Sequence, residues 1–171
     1  ANRACARRCD YPLHLGLTEA GPLLAGAVRS SAALAVLLAE GIGDTIRVSL
    51  SAAPEHEVWA ARQLLAGLGL RRDAVHVVSC PGCGRATVEV QQVAGRVEQR
   101  LRQLRVPLRI AVMGCEVNGP GEARAADAGI AGGAGSWTLY RAGAVVRRLG
   151  SSQEAEAALL AEAERLAADR D

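Results

Sequence analysis

Three cysteines and one glutamate stand in turns where their side chains could bind a metal together. Cys80 and Cys83 flank a Pro-Gly pair, and Cys115 follows an apolar run and precedes Glu122 by seven residues. Thiolates are soft ligands that select zinc or iron–sulfur clusters. A 4Fe-4S cube normally takes four cysteines, so three cysteines and a hard oxygen ligand indicate one weakly held iron. Such an iron is a docking point for a substrate oxygen, which favours a catalytic site over a plain electron carrier.

Spacing alone leaves zinc and an iron–sulfur cluster about equally favoured, because a Cys-x-x-Cys motif serves both. A structural zinc site needs a fourth soft or imidazole ligand. His14 and His56 lie in the other half of the chain, and His76 precedes the first motif on a predicted strand. Zinc is therefore the less favoured metal. The alternative function that it would support is a non-catalytic zinc- or cluster-stabilised module that binds a partner or carries electrons.

The elements that position these side chains follow two patterns. Up to residue 70, strands at 13–17 and 45–50 alternate with helices, and we predict that Ser30 or Ser31 caps the first long helix and that Pro54 begins the next. This order is typical of parallel strands flanked by helices. Beyond residue 70 the pattern becomes α+β. Its predicted elements are strands at 75–78, 108–113 and 129–131, a hairpin at 138–148, and helices at 88–104 and 152–168.

The amino-acid composition argues against nucleic acid and membrane as partners. The chain has 171 residues, a net charge of +2, and two Trp, two Tyr and no Phe, so it has neither a basic stripe nor an aromatic platform for nucleic acid. No apolar run reaches the roughly 18 residues of a membrane span, and no signal-peptide core is seen. Five cysteines in such a chain favour metal or redox chemistry in a reducing cytoplasm over disulfides.

Three further side chains receive a structural interpretation. Cys5 and Cys9 stand at the i, i+4 spacing of a helix face, and we expect them to be free thiols there. His14 is expected to pack in the core or against its strand. None of these three residues belongs to the predicted site.

Four motifs together resemble the GcpE/IspG family of 4-hydroxy-3-methylbut-2-enyl diphosphate synthases. Two contain the cysteines: Ser-Cys-Pro-Gly-Cys-Gly-Arg at 79–85 and Val-Met-Gly-Cys-Glu-Val-Asn-Gly-Pro-Gly-Glu-Ala at 112–123. Two lie upstream: Asp-Tyr-Pro-Leu-His-Leu-Gly-Leu-Thr-Glu-Ala-Gly at 10–21 and Glu-Gly-Ile-Gly-Asp-Thr-Ile-Arg-Val-Ser-Leu at 40–50. They cover nearly the whole chain in the family's order, and the resemblance favours a 4Fe-4S cluster over zinc.

The resemblance implies a fold in two parts. The family's first domain resembles a TIM barrel, of which residues 1–70 would supply the last two β/α units and the end of the preceding helix. Two units cannot close a barrel, so we expect open sheet edges, an exposed apolar inner face and a chain that is the C-terminal portion of a longer protein. Residues 71–171 would form a complete α+β, reductase-like iron–sulfur domain.

The resemblance also implies a reaction. It is the reductive ring-opening dehydration of 2-C-methyl-D-erythritol 2,4-cyclodiphosphate to 4-hydroxy-3-methylbut-2-enyl diphosphate, in the non-mevalonate (MEP) route of isoprenoid biosynthesis. The enzyme would be an iron–sulfur oxidoreductase acting on CH or CH2 groups, with reduced ferredoxin or flavodoxin as electron donor. In the family the cluster domain of one subunit covers the barrel of another, so a homodimer is implied. The 171 residues alone would be inactive.

By the same resemblance, the cluster ligands are the three cysteines of the two motifs and Glu122. Glu116 is a competing carboxylate beside Cys115, where the family usually has an apolar residue. Adjacent residues on one turn tend to diverge, whereas the Asn-Gly-Pro-Gly turn can fold the chain back, so Glu122 is the preferred ligand. Asn118 is assigned to a hydrogen bond with the cluster or the substrate.

The other predicted site residues lie at the C-terminal ends of the two barrel strands, where TIM-barrel enzymes bind phosphate and place catalysis. Glu19 follows the first strand, and Arg47 and Ser49 stand at the end of the second. An arginine and a hydroxyl bind a diphosphate through charge-assisted hydrogen bonds. The resemblance assigns Glu19 as the acid/base group and Arg47 and Ser49 as substrate-binding residues. Arg29 is a weaker anion-binding candidate.

Overall fold

The computed structural model describes residues 1–170 and divides the chain into two units between Arg72 and Asp73. Each unit has an apolar core of its own. Within the described residues, no helix is long and apolar enough to cross a membrane.

The first unit alternates between helix and strand. Its elements are α1 (Asn2–Ala6), β1 (His14–Leu17), α2 (Leu23–Ala39), β2 (Thr45–Val48) and α3 (Pro54–Gly67). β1 and β2 pair in parallel, and Leu15 and Val48 are buried in one core with the inner faces of α2 and α3. The predicted order of parallel strands and flanking helices is confirmed.

Helix α2 begins a full two turns before the predicted caps. Ser30 and Ser31 lie inside the helix, Ser30 is buried, and Pro22 occupies the N-cap position. The backbone N–H of Gly26 donates to the carbonyl of Pro22 at 2.6 Å, which closes the first turn. The prediction that Ser30 or Ser31 caps this helix is wrong, because the Leu/Ala-rich segment ahead of them contains nothing that stops a helix short of Pro22.

The sheet face that α2 and α3 leave open is polar. His14 and Thr45 are neighbours across the strands, and the His14 Nδ1 and Thr45 Oγ1 atoms share a hydrogen bond of 2.8 Å. Arg47 lies beside Gly16 on the same face. The predicted apolar inner face is therefore wrong, because side chains alternate along each strand and the apolar set packs under the helices. His14 is exposed and is hydrogen-bonded across the strands, so it is not a core residue.

The second unit is a mixed sheet of five strands in sequential order. β3, β4 and β5 are parallel, and β6 and β7 continue the sheet antiparallel. The predicted β6–β7 hairpin is confirmed, and its turn residues Ala142 and Gly143 both have positive φ, as a two-residue hairpin loop requires. The elements are β3 (Val75–Ser79), α4 (Val90–Leu101), β4 (Leu108–Met113), α5 (Gly119–Ala125), β5 (Ala128–Gly133), β6 (Ser136–Arg141), β7 (Ala144–Leu149) and α6 (Ser152–Ala168).

Helices cover both faces of this sheet. α4 and α6 pack on one face around the buried Trp137 and Ile110. The segment that forms α5, which the sequence predicts as a turn, lies on the other face. There a Cβ on Gly129 would come within 3.0 Å of the Ala123 Cα, so only glycine lets the helix approach this closely. The helix that follows Cys115 is thereby fixed against the sheet.

Candidate functional site

The two cysteine motifs follow neighbouring parallel strands. β3 and β4 pair in register from Val75 opposite Leu108 to Ser79 opposite Val112, so both strands end at the same edge of the sheet. Cys80 comes directly after β3. The backbone N–H of Gly114 donates to the Cys80 Sγ at 3.2 Å. The structure therefore brings the loop of Cys80 together with the loop that precedes Cys115.

The segment that follows Cys83 joins these loops. The N–H of Thr87 donates to the carbonyl of Gly114 at 3.0 Å, and the N–H of Ala86 donates to the carbonyl of Cys83 at 2.9 Å. A Cβ on Gly114 would lie 3.2 Å from the Ala86 Cβ, so the two segments are in close contact. Cys83 itself is exposed. The loop thus presents its thiol to solvent while its backbone is anchored.

The Cys115 thiol is buried among backbone donors at the start of α5. Backbone N–H groups of Asn118, Val117 and Gly119 point at the sulfur and lower the pKa of Cys115, and the charge of Arg85 acts in the same direction. A lowered pKa favours the thiolate, which is the form that binds metals. This group of donors arises because α5 begins so soon after the cysteine.

The two competing carboxylates lie in different surroundings. Glu122 is in the first turn of α5, and its Oε2 lies 3.7 Å from the Arg109 Nη2 in a half-exposed ion pair. The Glu116 side chain lies against the backbone at Gly133, where an added Cβ would come within 2.9 Å of its Oε2. Asn118 caps α5 only with its backbone, since its side chain makes no capping hydrogen bond.

The structure does not gather all four predicted ligands. Among residues 1–170, no three His, Cys, Asp or Glu side chains lie close enough together to hold a metal ion. The donor set nevertheless suits an iron–sulfur cluster. It comprises soft thiols on adjacent loops, with backbone N–H groups directed at the sulfurs of Cys80 and Cys115. Such N–H···S bonds are the outer-shell contacts that stabilise ligating sulfurs.

A second polar group surrounds the loop that follows β1. The Arg47 Nη2 donates to the Thr18 Oγ1 at 2.9 Å, and the Arg29 Nη1 donates to the carbonyl of Ala20 at 3.0 Å. Glu19, between these two acceptors, is exposed and has a φ of 58°, a left-handed conformation that is uncommon for a residue other than glycine. Two cations therefore contact one strand-end loop.

Two further residues belong to this region, the predicted Ser49 and the unpredicted Thr18. Ser49 is half-buried directly after β2. Thr18, which was not among the predicted site residues, accepts a hydrogen bond from the Arg47 guanidinium at the strand end. The sequence contains one signal for this residue. Thr18 directly follows an apolar strand, and its counterpart on the neighbouring strand is the segment that follows β2.

These features define an α/β unit with basic groups at its strand ends, followed by an α+β unit with cysteines on two loops that contact each other. Residues 1–62 match the GcpE TIM-barrel domain, and residues 76–165 match the GcpE protein C-terminal domain. The chain therefore belongs to the GcpE family, as the four motifs predicted.

Curated relatives agree with this assignment. Proteins named 4-hydroxy-3-methylbut-2-en-1-yl diphosphate synthase (flavodoxin) from Frankia alni and Tropheryma whipplei are each 55% identical to this chain, over 98% and 99% of its length. The Salinispora tropica relative of the same name is 54% identical over 98% of the chain. The alignments cover 43%, 44% and 43% of these relatives, so the chain spans less than half of their length.

Proposed function

We propose that this chain is part of an enzyme that reductively opens 2-C-methyl-D-erythritol 2,4-cyclodiphosphate to 4-hydroxy-3-methylbut-2-enyl diphosphate, with reduced flavodoxin or ferredoxin as the electron donor. Family membership and the names of the relatives support the reaction. The observation that carries the proposal is the Gly114 N–H···Sγ Cys80 bond, which joins the two cysteine loops at one sheet edge.

Four side chains would hold a 4Fe-4S cluster in this proposal: Cys80, Cys83, Cys115 and Glu122. The cluster would supply electrons to the breaking C–O bond and an iron that acts as a Lewis acid. The chain's own contribution begins with the thiolates. The backbone donors around Cys115 stabilise its negative charge, and the Gly114 N–H orients the Cys80 sulfur.

Glu122 is suited to be the exchangeable ligand. Its present partner, Arg109, is 3.7 Å away and both side chains are about half exposed, so solvent weakens the pair. The carboxylate can therefore leave Arg109 at little energetic cost. Asn118, whose side chain makes no capping bond, is free to hydrogen-bond the cluster or the substrate.

The first unit would bind the diphosphate and move the proton. Arg47 and Arg29 are cations that contact the loop after β1, and with the Ser49 hydroxyl they would bind the phosphate oxygens. Glu19, exposed in the same loop, would protonate the oxygen that leaves. The intact active site would require a complete barrel in a cytoplasmic homodimer, with residues 1–70 as its last two β/α units and 71–171 as the cluster domain.

Anaerobic reconstitution of the chain with iron and sulfide tests the cofactor. We expect four irons per chain by metal analysis, because a cube contains four, and a Mössbauer spectrum in which one iron differs from the other three. His76→Ala, which removes an exposed imidazole just before the first motif, should reconstitute normally and serves as the control. Stoichiometric zinc with no iron uptake would instead support the non-catalytic metal module.

A further inference from the structure

Two cysteines outside the cluster motifs form a close pair in the first unit. Cys5 lies in α1 and Cys9 follows one helical turn later. Their Sγ atoms are 3.6 Å apart and share a hydrogen bond. The backbone N–H of Cys9 donates to the carbonyl of Cys5 at 3.1 Å, so the helical turn between them is closed.

We propose that Cys5 and Cys9 form a redox-active dithiol site that a hydroperoxide converts to a disulfide. The proposed isoprenoid activity does not use this pair. Four residues of helix advance about 6 Å along the axis. That separation is inside the range of about 4.4 to 6.8 Å that disulfide-bonded Cα atoms span. The sulfurs are 3.6 Å apart. Cβ atoms one helical turn apart lie about 5 to 6 Å from each other, whereas a disulfide needs about 3.5 to 4.5 Å, so the turn that carries Cys9 would shift slightly as the bond forms.

The surroundings of the pair suit such a reaction. α1 has no buried residues, Cys5 is exposed and Cys9 is half-buried, so a small oxidant can reach both sulfurs. Arg3 makes a two-pronged ion pair with Glu40, with distances of 2.7 and 2.6 Å, which joins α1 to the residue that ends α2.

The steps balance with hydrogen peroxide as the oxidant. The hydrogen bond to Cys9 raises the pKa of Cys5, and in the proposed reaction Cys9 is the first nucleophile. The Cys9 sulfur attacks one peroxide oxygen, and the products are a sulfenic acid and one water. The Cys5 sulfur then attacks the Cys9 sulfur, the S–O bond breaks, and a second water leaves. Two thiols lose two electrons and two protons in all.

The site is separate from the residues assigned to the proposed reaction in the same unit. Cys9 precedes β1, whereas Thr18 and Glu19 follow it, so the thiol pair stands at the opposite end of the strand. We therefore expect oxidation of this pair to leave phosphate binding at the strand ends unchanged.

Peptide mapping of the 171-residue chain provides the test, because trypsin cuts between the two cysteines. The reduced protein is treated with hydrogen peroxide, blocked with an alkylating reagent and digested without reductant. We expect a disulfide-linked pair of the Cys5 and Cys9 peptides as the main linked product, and a dithiol reductant should abolish it. The cysteine-bearing peptides are 4–7, 9–29, 73–85 and 110–124.

Variants distinguish a specific disulfide between Cys5 and Cys9 from unselective oxidation of the cysteines. Cys5→Ser should remove the linked product and leave a Cys9 sulfenic acid that dimedone traps. Cys9→Ser combined with Asp10→Cys keeps two thiols but moves one to the residue after the turn that the Cys9 N–H closes on the Cys5 carbonyl, and should lose most of the linked product. Cys83→Ser should retain it. Oxidation of Cys5 and Cys9 to separate sulfinic acids, or preferential linkage of Cys9 to a motif cysteine, would overturn the proposal.

Discussion

The backbone N–H of Gly114 donates a hydrogen bond to the Sγ of Cys80 across 3.2 Å. The bond connects the loop after β4 to the loop after β3, two strands that run side by side and end at the same sheet edge. An N–H bond of this kind fixes the direction of the sulfur that accepts it. This contact brings two loops together whose motifs are distant in sequence.

The proposed division of roles between cysteine and carboxylate predicts different phenotypes in the full-length enzyme. Cys115→Ser should lose the cluster, because a thiolate anchors it. Glu122→Ala should retain most of the iron but reduce kcat by about 100-fold or more, in the range typical of a lost acid or electrostatic group. Iron content and steady-state turnover measure the two effects.

Glu116→Ala is the matched control for that prediction. Glu116 is the carboxylate next to Cys115, but its side chain lies against Gly133. Its removal should change turnover far less than Glu122→Ala does. If Glu116→Ala reduced turnover and Glu122→Ala were silent, Glu116 would be the ligand.

Arg47 is predicted to bind the diphosphate. A charge-assisted hydrogen bond contributes about 1.5 to 3 kcal/mol, so Arg47→Ala in the full-length enzyme should raise KM for the cyclic diphosphate by roughly 10- to 100-fold. Arg47→Lys should recover part of the loss, because lysine restores the charge but not the planar fork. Arg105→Ala, an exposed arginine of the second unit, controls for the change in net charge. Equal KM values for Arg47→Ala and Arg105→Ala would exclude Arg47 from binding.

Gly132 is predicted to be essential for packing beneath the cysteine loops. A Cβ there would overlap the Val88 Cγ2, so the segment after Cys83 would have to move. Gly132→Ala should lower the free energy of unfolding by about 1 to 3 kcal/mol, as overpacking does. Gly121→Ala adds the same methyl group where no atom lies within 4 Å and should be neutral or stabilising. Urea unfolding of both variants measures the difference, and equal stabilities would contradict the assigned contact.

The carboxyl group of Glu162 makes the free energy of unfolding of the second unit depend on pH. Burial alone raises the pKa of this carboxyl, but hydrogen bonds from Arg141 and Arg165 outweigh it and hold the pKa below its usual range. The Arg141 Nη2 donates to the Glu162 Oε2 at 2.6 Å, and the Arg165 Nη2 donates to Oε1 at 2.7 Å. Because the folded pKa is depressed, this stabilisation is complete above the unfolded pKa of about 4.3 and is lost as the pH falls through the folded value.

Glu162→Gln should therefore destabilise the chain by about 1 to 3 kcal/mol at pH 7, with a smaller difference from the parent below about pH 4. Glu164→Gln, an exposed carboxyl on the same helix, should change stability by less than about 0.5 kcal/mol at either pH. Urea unfolding followed by the fluorescence of the buried Trp137 measures both. A pH-independent difference for Glu162→Gln would contradict the ion-pair assignment.

Much of the fold was predictable because local patterns decide it. Strand periodicity marks the apolar runs that form β3 and β4. Turn residues with positive φ mark the Ala-Gly turn between β6 and β7. A capping side chain marks the start of the helix after Ser151. Helix α5 was missed because Asn-Gly-Pro-Gly resembles a turn, whereas Pro120 lies in the first helical turn, where proline is tolerated.

The sequence by itself determined the donor types and their order: soft thiols at Cys80, Cys83 and Cys115, carboxylates near the third cysteine, and an arginine at the end of β2. Those identities were enough to establish the family. Only the tertiary structure decided which loops meet. The parallel register of β3 and β4 places the Gly114 N–H on the Cys80 sulfur, and the close approach of α5 places backbone donors on Cys115. Contacts of this kind depend on strand pairing and on glycine-permitted distances between distant segments, which a linear pattern does not contain.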